Sequence, residues 1–117
     1  MKRLYLATLN SWNGLKFAVR SEQAIREEII ALVLAIPLAF IIGTTAERRL
    51  ELIVVVLLLL AVELLNTAIE KLADRLTREI DPQIRDVKDM GSAAVLAAII
   101  IAGATWLFAL AECVGLL

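Results

Sequence analysis

Three long stretches with almost no charged side chains constrain this chain more than any other feature. Ile29–Ala46 is uncharged for 18 residues, Met90–Ala111 is uncharged for 22, and Leu52–Ile69 carries a single charge, Glu63. A helix that crosses the hydrocarbon core of a bilayer needs about 17–25 mostly apolar residues. The chain is also 61% apolar, whereas soluble domains are about half apolar. The pattern predicts an all-α polytopic membrane protein with three transmembrane helices.

These elements fill the chain as one membrane domain, residues 1–117. Transmembrane helices are expected at about 26–46, 50–70 and 90–112. Residues 1–20 are weakly amphipathic and predict a helix that lies on the membrane surface, with Trp12 as an aromatic anchor at the interface. Ala94, Ala98 and Ala102 recur every four residues on the third transmembrane helix, and such small residues permit close helix packing.

Local signals predict where these helices begin and end. Asn13-Gly14 is a turn signal that favours a break in the surface helix. Ser21 is placed to cap the first transmembrane helix, and Gly43 to mark its outer end. The second transmembrane helix is expected to continue as a polar helix to about Arg78, and Pro82 to end it.

The basic residues predict the orientation in the membrane. Two segments carry most of them, the N-terminal segment and the connection before the third transmembrane helix: Lys2, Arg3, Lys16, Arg20 and Arg26 in the first, and Lys71, Arg75, Arg78, Arg85 and Lys88 in the second. The positive-inside rule places both segments in the cytoplasm and the C-terminus outside an inner membrane. No cleavable signal peptide is expected. Because the charges are sorted by membrane side, no nucleic-acid partner is expected.

The polar residues of the second transmembrane helix indicate where chemistry takes place. Five of them fall on one helical face: Glu63, Asn66, Thr67, Glu70 and Asp74. Ionisable groups inside a membrane helix are costly and usually functional, although a lone glutamate also serves as a structural polar contact between helices. Carboxylates and an asparagine suit Mg²⁺, and a nearby lysine neutralises phosphate. The chain has no histidine and neither of the standard glycine-rich nucleotide loops.

Two sequence motifs extend this interpretation. The segment Glu63–Glu70, ELLNTAIE, matches the pattern E-[IL]-L-N-[ST]-A-I-E, and Lys88–Val95, KDMGSAAV, matches K-D-x-x-[SA]-A-A-V. Both closely resemble the signatures of the small bacterial membrane diacylglycerol kinases. Ser11–Leu15 and Glu22–Glu28 fit the same family in order and spacing, so the resemblance covers essentially the whole chain. It implies a homotrimer whose active sites are shared between neighbouring subunits.

The resemblance also implies roles for individual residues. Glu63 resembles the catalytic base, and Glu22 and Glu70 the carboxylates that hold the metal. The residues at positions that contact ATP are Arg3, Asn10, Glu22, Asn66, Glu70, Glu79, Asp81, Lys88 and Asp89. The residues assigned to the lipid substrate are Trp12, Glu28, Glu63 and Ser92. The family often carries Tyr-His or His-His where this chain has Ile80-Asp81.

The sequence therefore predicts an ATP- and Mg²⁺-dependent lipid kinase that phosphorylates diacylglycerol to phosphatidic acid. Two alternatives remain at this point. Relatives within the family use undecaprenol as the acceptor, although Met90-Gly91-Ser92 favours diacylglycerol. A small proton-coupled transporter also places a single glutamate in a membrane helix, but such a protein has no need of Glu22, Lys88 and Asp89 at one interface.

Overall fold

Four α-helices and three short connections make up the chain. A computed structural model describes all residues, 1–117. The helices are α1 (Lys2–Ser21), α2 (Gln23–Ile42), α3 (Ala46–Leu76) and α4 (Pro82–Cys113). The predicted all-α class is confirmed, and the four helices correspond in order to the predicted surface helix and three apolar helices.

The first connection is a single residue, Glu22, in an extended conformation with φ −128° and ψ 118°. The prediction that Ser21 caps the next helix is wrong, because Ser21 is the last residue of α1. Arg26 explains the break, since its Nη1 donates to the carbonyl of Val19 at 2.7 Å and to that of Arg20 at 3.3 Å. These carbonyls have no partner inside a helix that ends there.

The surface helix itself is continuous. The predicted break at Asn13-Gly14 is wrong, because α1 runs through both residues. Gly14 has no neighbouring atom within 4 Å of its side-chain position. A glycine in an exposed helix costs only about 1 kcal/mol relative to alanine, which is too little to end a helix whose flanking residues favour it.

A tight turn, residues 43–45, connects α2 to α3. Gly43 ends α2 as predicted, and a Cβ at this position would lie 2.6 Å from Cγ of Arg49 and 2.7 Å from the carbonyl oxygen of Ala39. Thr45 caps α3, because its side-chain oxygen accepts from the backbone N–H of Arg48 at 3.1 Å. The two helices are therefore antiparallel neighbours, and the first ends earlier than the predicted residue 46.

The third connection, residues 77–81, joins the end of α3 to the start of α4. α3 has 31 residues, which at about 1.5 Å per residue exceeds the ~30 Å hydrocarbon core. It ends at Leu76 rather than Arg78. Pro82 does not end α3 but occupies the first turn of α4, and Asp81 caps that helix by accepting from the backbone N–H groups of Gln83 at 2.9 Å and Ile84 at 3.3 Å. Proline suits this position because its missing N–H needs no partner there.

α3 is the central helix, and it packs against both α2 and α4. On α4 the small residues Ala98, Ala102 and Ala109 are buried, whereas Ala94 is exposed. Ala98 and Ala102 therefore pack within the chain, in line with the close helix packing expected of small residues, whereas Ala94 does not. Only 14 of 117 residues are buried, which leaves most apolar side chains to an environment outside the protomer.

Two helices, α3 and α4, are long and apolar enough to cross a membrane. Only 28% and 17% of their apolar windows are buried, whereas the core helix of a soluble protein is mostly enclosed. α2 does not meet the same criterion, because every 18-residue window within it contains Arg26, Glu27 and Glu28. The structure therefore describes a membrane protein with two helices of spanning length and composition beside a third, more polar at its start.

Candidate active site

The polar stripe predicted from the sequence lies along one face of α3. Asn66 and Thr67 are the buried polar residues of the chain, with 7% and 9% of their surface exposed. Glu63 and Asp74 are half-buried, and Glu70 is exposed. The buried amide and hydroxyl therefore lie in the middle of the stripe, and the carboxylate of Glu63 lies one turn before the amide.

Asn66 is held between α3 and α4. Its Nδ2 donates to Oε1 of Glu70 at 3.1 Å, one turn further along α3. Its Oδ1 is buried without a hydrogen-bond partner and lies directly against Gly91 of α4, where a Cβ would overlap it. A larger residue at position 91 would have to displace this amide, and with it the hydrogen bond to Glu70.

Four glutamates lie around this stripe. Glu63 interacts electrostatically with Glu70 and with Glu22, the residue between α1 and α2. Glu28 of α2 interacts with Glu63 in turn, and its Oε2 is buried with no hydrogen-bond partner. Because these carboxylates interact electrostatically and carry the same charge, they repel one another. A cation next to the cluster would reduce this repulsion.

The donor set fits Mg²⁺. No three acidic side chains gather closely enough to hold a metal ion by themselves, but Mg²⁺ is usually bound by one or two carboxylates together with water and substrate phosphates. Glu22 and Glu70 supply hard oxygen atoms of the kind that this ion prefers. The structure brings the two predicted metal carboxylates to the same cluster, each within electrostatic range of Glu63.

Two lysines make ion pairs with carboxylates of the site. Nζ of Lys88, on α4, donates to Oδ1 of Asp74 at 2.6 Å, which connects the predicted phosphate-binding lysine to the polar stripe. This hydrogen bond, together with the charges of Lys88, Arg78 and Lys71, lowers the pKa of Asp74 below its ordinary value. Nζ of Lys71 lies 2.8 Å from Oε1 of Glu22.

Four of the predicted ATP-binding residues line one cavity of about 260 Å³ between the end of α3 and the start of α4. They are Glu79, Asp81, Lys88 and Asp89. Asp74 lines the same cavity. The connection that contains Ile80-Asp81 therefore lies beside Lys88, which the sequence predicted to contact ATP.

The structure does not bring every predicted residue to this cluster. Arg3 and Asn10 are exposed on α1 and make no hydrogen bond or ion pair with the other site residues. Trp12 is exposed, with Nζ of Lys16 5.9 Å from its ring centroid, and it lines a separate small cavity on α1. Ser92 is exposed on α4, directly after Gly91.

Two larger cavities share Lys71, the residue that pairs with Glu22. The first is an apolar groove of about 440 Å³ between α1 and α3, lined by Ser11, Gly14, Leu15, Phe17, Ala18, Leu64, Thr67, Ala68 and Lys71. The second is a polar cavity of about 660 Å³ at the end of α3, lined by Lys71, Asp74, Arg75, Thr77 and Arg78. The groove has the lining of a site for an apolar chain, and the polar cavity that of a site for an anion.

The sequence interpretation assigned no site role to Lys71, Arg75 or Arg78, which it counted only as orientation signals. Their spacing places all three on one face of α3, next to Asp74, and this spacing is the signal that was available. The role of Gly91 had no such signal, because the contact with Asn66 joins two helices and depends on how closely they pack.

Known proteins support the same interpretation. Residues 9–110 match the model of the family described as prokaryotic diacylglycerol kinase. The chain is 44% identical to the diacylglycerol kinase of Escherichia coli K12 over 89% of this chain and 85% of that protein. It is 42% identical to that of Pseudomonas aeruginosa over 91% and 86%, and 39% identical to that of Haemophilus influenzae over 91% and 90%. The chain belongs to the prokaryotic diacylglycerol kinase family.

Proposed function

We propose that the protein is an ATP- and Mg²⁺-dependent kinase that phosphorylates the primary hydroxyl of diacylglycerol at the inner face of the cytoplasmic membrane. One observation carries this proposal: an apolar groove and a cation-lined cavity share Lys71, which lies on a helix of spanning length and pairs with the carboxylate of Glu22. A lipid kinase needs this combination, because its acceptor is dissolved in the membrane and its donor in water.

The proposed reaction uses Glu63 as the base. Its carboxylate accepts the proton of the lipid hydroxyl while the hydroxyl oxygen forms a bond to the γ-phosphorus of ATP. The bond between that phosphorus and the bridging β–γ oxygen breaks, and ADP leaves with the electron pair. Glu63 then returns its proton to water. General-base assistance of this kind contributes about 10²–10⁴-fold to a rate.

The other residues position the reactants. Glu22 and Glu70 would hold Mg²⁺, which neutralises phosphate charge when bound. Asn66 orients Glu70 through its hydrogen bond of 3.1 Å. Lys88 and Asp89, which line the smaller cavity with Glu79 and Asp81, would contact the nucleotide. The lipid would occupy the groove between α1 and α3, with its headgroup next to Thr67.

We place α2 across the membrane beside α3 and α4. The tight turn at residues 43–45 holds its end next to the start of α3, so the two helices must run side by side through the same layer. Arg26, Glu27 and Glu28 then lie at the cytoplasmic boundary, where charged side chains reach the headgroups. The basic residues of α1 and of the connection between α3 and α4 fall on this same side, as the positive-inside rule requires.

We also propose that the protein is a homotrimer. Large exposed apolar side chains on all of the helices support association with further copies. The mass of the purified protein in mild detergent, measured by light scattering with the detergent contribution subtracted, tests this proposal. A fully active monomer would contradict it.

A competition assay tests the function. Purified protein in mixed micelles receives labelled ATP, Mg²⁺ and equal amounts of diacylglycerol and undecaprenol. We expect labelled phosphatidic acid as the main product, and no product when Mg²⁺ is chelated. Label on undecaprenol instead would reassign the acceptor, and no labelled lipid at all would contradict the kinase proposal.

A further inference from the structure

Lys71 connects α3 to α1 and to the junction between α1 and α2, although no role has so far been assigned to it. It lies on α3, directly after the carboxylate Glu70. Its Nζ is 2.8 Å from Oε1 of Glu22, the residue that joins α1 to α2, and 5.3 Å from the ring centroid of Phe17 on α1. Neither partner of the ion pair is enclosed, since 42% and 32% of the two side chains are exposed. Water screens such a pair, so it is easily exchanged for another.

Lys71 is also the one residue that lines both large cavities. It stands where the apolar groove ends and the polar cavity begins. A phosphoryl group that passes from a water-soluble donor to a membrane lipid must cross this boundary. The ammonium group of Lys71 would therefore lie next to the terminal phosphate of the donor, next to the phosphate of the lipid product, or next to each in turn.

The charges of the polar cavity indicate the class of ligand. Three cations line it, Lys71, Arg75 and Arg78, against a single carboxylate, Asp74. That carboxylate is already engaged by Lys88 at 2.6 Å. The cavity thus attracts anions, and its lining contains no hydrophobic residue. Lysine and arginine bind phosphate oxygens through short, charge-assisted hydrogen bonds.

We propose that Lys71 is a phosphate-binding residue that exchanges its ion pair with Glu22 for a phosphate oxygen when substrate binds. This inference rests on the proposed kinase function, in which Glu22 holds Mg²⁺. When the metal neutralises that carboxylate, Lys71 is released. Its flexible four-carbon stem and three N–H donors then allow it to reach the phosphate. The phosphate belongs either to the nucleotide or to the phosphorylated lipid, and both offer the same terminal oxygens.

Two binding measurements on the full-length protein in lipid nanodiscs test the proposal. One measures the Kd of a non-hydrolysable ATP analogue with Mg²⁺, and the other the inhibition constant of phosphatidic acid in the lipid kinase assay. Lys71→Met keeps the length of the stem and removes the charge. We expect it to weaken at least one of the two by about tenfold or more, because a charge-assisted hydrogen bond is lost. Lys71→Arg, which keeps the charge, should recover most of that loss.

The chain provides a matched control in Lys16. Its Nζ lies 5.9 Å from the ring centroid of Trp12, as Lys71 lies over Phe17, but it makes no ion pair with a carboxylate. Lys16→Met should leave both constants unchanged. A weaker Kd for the nucleotide analogue assigns the phosphate to ATP, and a weaker inhibition by phosphatidic acid assigns it to the lipid.

The proposal is overturned if Lys71→Met changes neither constant, or if Lys16→Met changes them equally. It is also overturned if Lys71→Met lowers the unfolding temperature and changes neither constant. That result would mean that Lys71 only stabilises the packing of α3 against the junction between α1 and α2. Lys71→Gln provides a second neutral variant if the methionine variant does not fold. A wild type that binds nucleotide but phosphorylates no lipid would contradict the proposed function, while the nucleotide measurement would still decide the role of Lys71.

Discussion

At the scale of single residues, Glu63 is the proposed catalytic base, and it lies within a helix of spanning length. Glu63→Gln keeps the size and the hydrogen-bonding shape of the side chain but removes its ability to accept a proton. Turnover should fall by about 10²–10⁴-fold. The affinity for Mg-ATP should change little, because Glu22 and Glu70 are intact. Lipid phosphorylation and nucleotide binding, measured on the same purified variant, check this prediction.

Glu27→Gln serves as the control for that measurement. Glu27 is an exposed glutamate of α2 whose carboxylate accepts a hydrogen bond only from Gln23, at 2.9 Å. Both variants therefore lose one negative charge near the membrane boundary. Only Glu63→Gln also loses the proposed base. Equal activity of the two variants, or a Glu63→Gln protein that no longer assembles, would make Glu63 a structural residue.

The ion pair between Asp74 and Lys88 predicts a dependence on pH. The hydrogen bond from Lys88 lowers the pKa of Asp74 in the folded protein. The stability that the pair contributes is therefore fully present above the unfolded-state pKa, near 4, and is lost as the pH falls through the lower folded-state value. The difference in unfolding temperature between wild type and Asp74→Asn should stay constant from about pH 5 to 8 and shrink below about pH 4. A difference that already shrinks between pH 5 and 8 would contradict this prediction.

At the scale of helices, the contact between Asn66 and Gly91 sets how closely α3 and α4 pack. A Cβ at position 91 would overlap Oδ1 of Asn66, so Gly91→Ala should displace the amide and break its hydrogen bond to Glu70. We expect a destabilisation of about 1–3 kcal/mol, the usual cost of overpacking, and a weaker affinity for Mg-ATP. Unfolding in denaturant and nucleotide binding measure the two effects.

Gly103→Ala is the control for this contact, because it lies on the same helix with no atom within 4 Å of the added carbon. It should leave both quantities unchanged. In an Asn66→Ala background, Gly91→Ala should cost much less than it does in the wild type, since the clashing atom is gone. Equal costs in both backgrounds would show that Gly91 acts through some other contact.

Helix existence and order were predictable from the sequence, and several boundaries were not. The three long stretches with almost no charge predict three helices, because their apolar length is itself the signal, and the amphipathic pattern of residues 1–20 predicts the fourth. Ser21 and Pro82 were misassigned for the same reason: each is compatible with a helix start and a helix end, and contacts elsewhere decide between them. At residue 21 the decision falls to Arg26, whose guanidinium binds the last carbonyls of α1. At residue 82 it falls to Asp81, which caps α4.

The candidate site shows the same division. The polar stripe on α3 follows from helical periodicity alone, so Glu63, Asn66 and Glu70 were found at sequence level. Contacts between helices follow no such rule. Two such contacts are the ion pair between Lys71 and Glu22 and the approach of Gly91 to Asn66. Both depend on how α3 packs against the other helices, and this packing cannot be inferred from local sequence.

At the scale of the whole molecule, the number of membrane crossings decides whether the two ends of the chain lie on the same side. With α2, α3 and α4 all spanning, the N-terminal surface helix and the end of α4 lie on opposite sides. With α3 and α4 alone, they lie on the same side. Cys113 is the single cysteine of the chain, and it is free and exposed at the end of α4, so the protein carries a natural probe of this question.

We expect a membrane-impermeant maleimide to label Cys113 in intact spheroplasts. A Ser11→Cys, Cys113→Ser protein moves the thiol to an exposed position of α1 and should be labelled only after the membrane is permeabilised. This expectation follows from the positive-inside rule, which predicts that the basic residues of α1 and of the connection between α3 and α4 lie on the cytoplasmic side. Labelling of both thiols in intact spheroplasts, or of neither, would mean an even number of crossings. In that case α2 would lie outside the hydrocarbon core, and Arg26, Glu27 and Glu28 would no longer mark its cytoplasmic boundary.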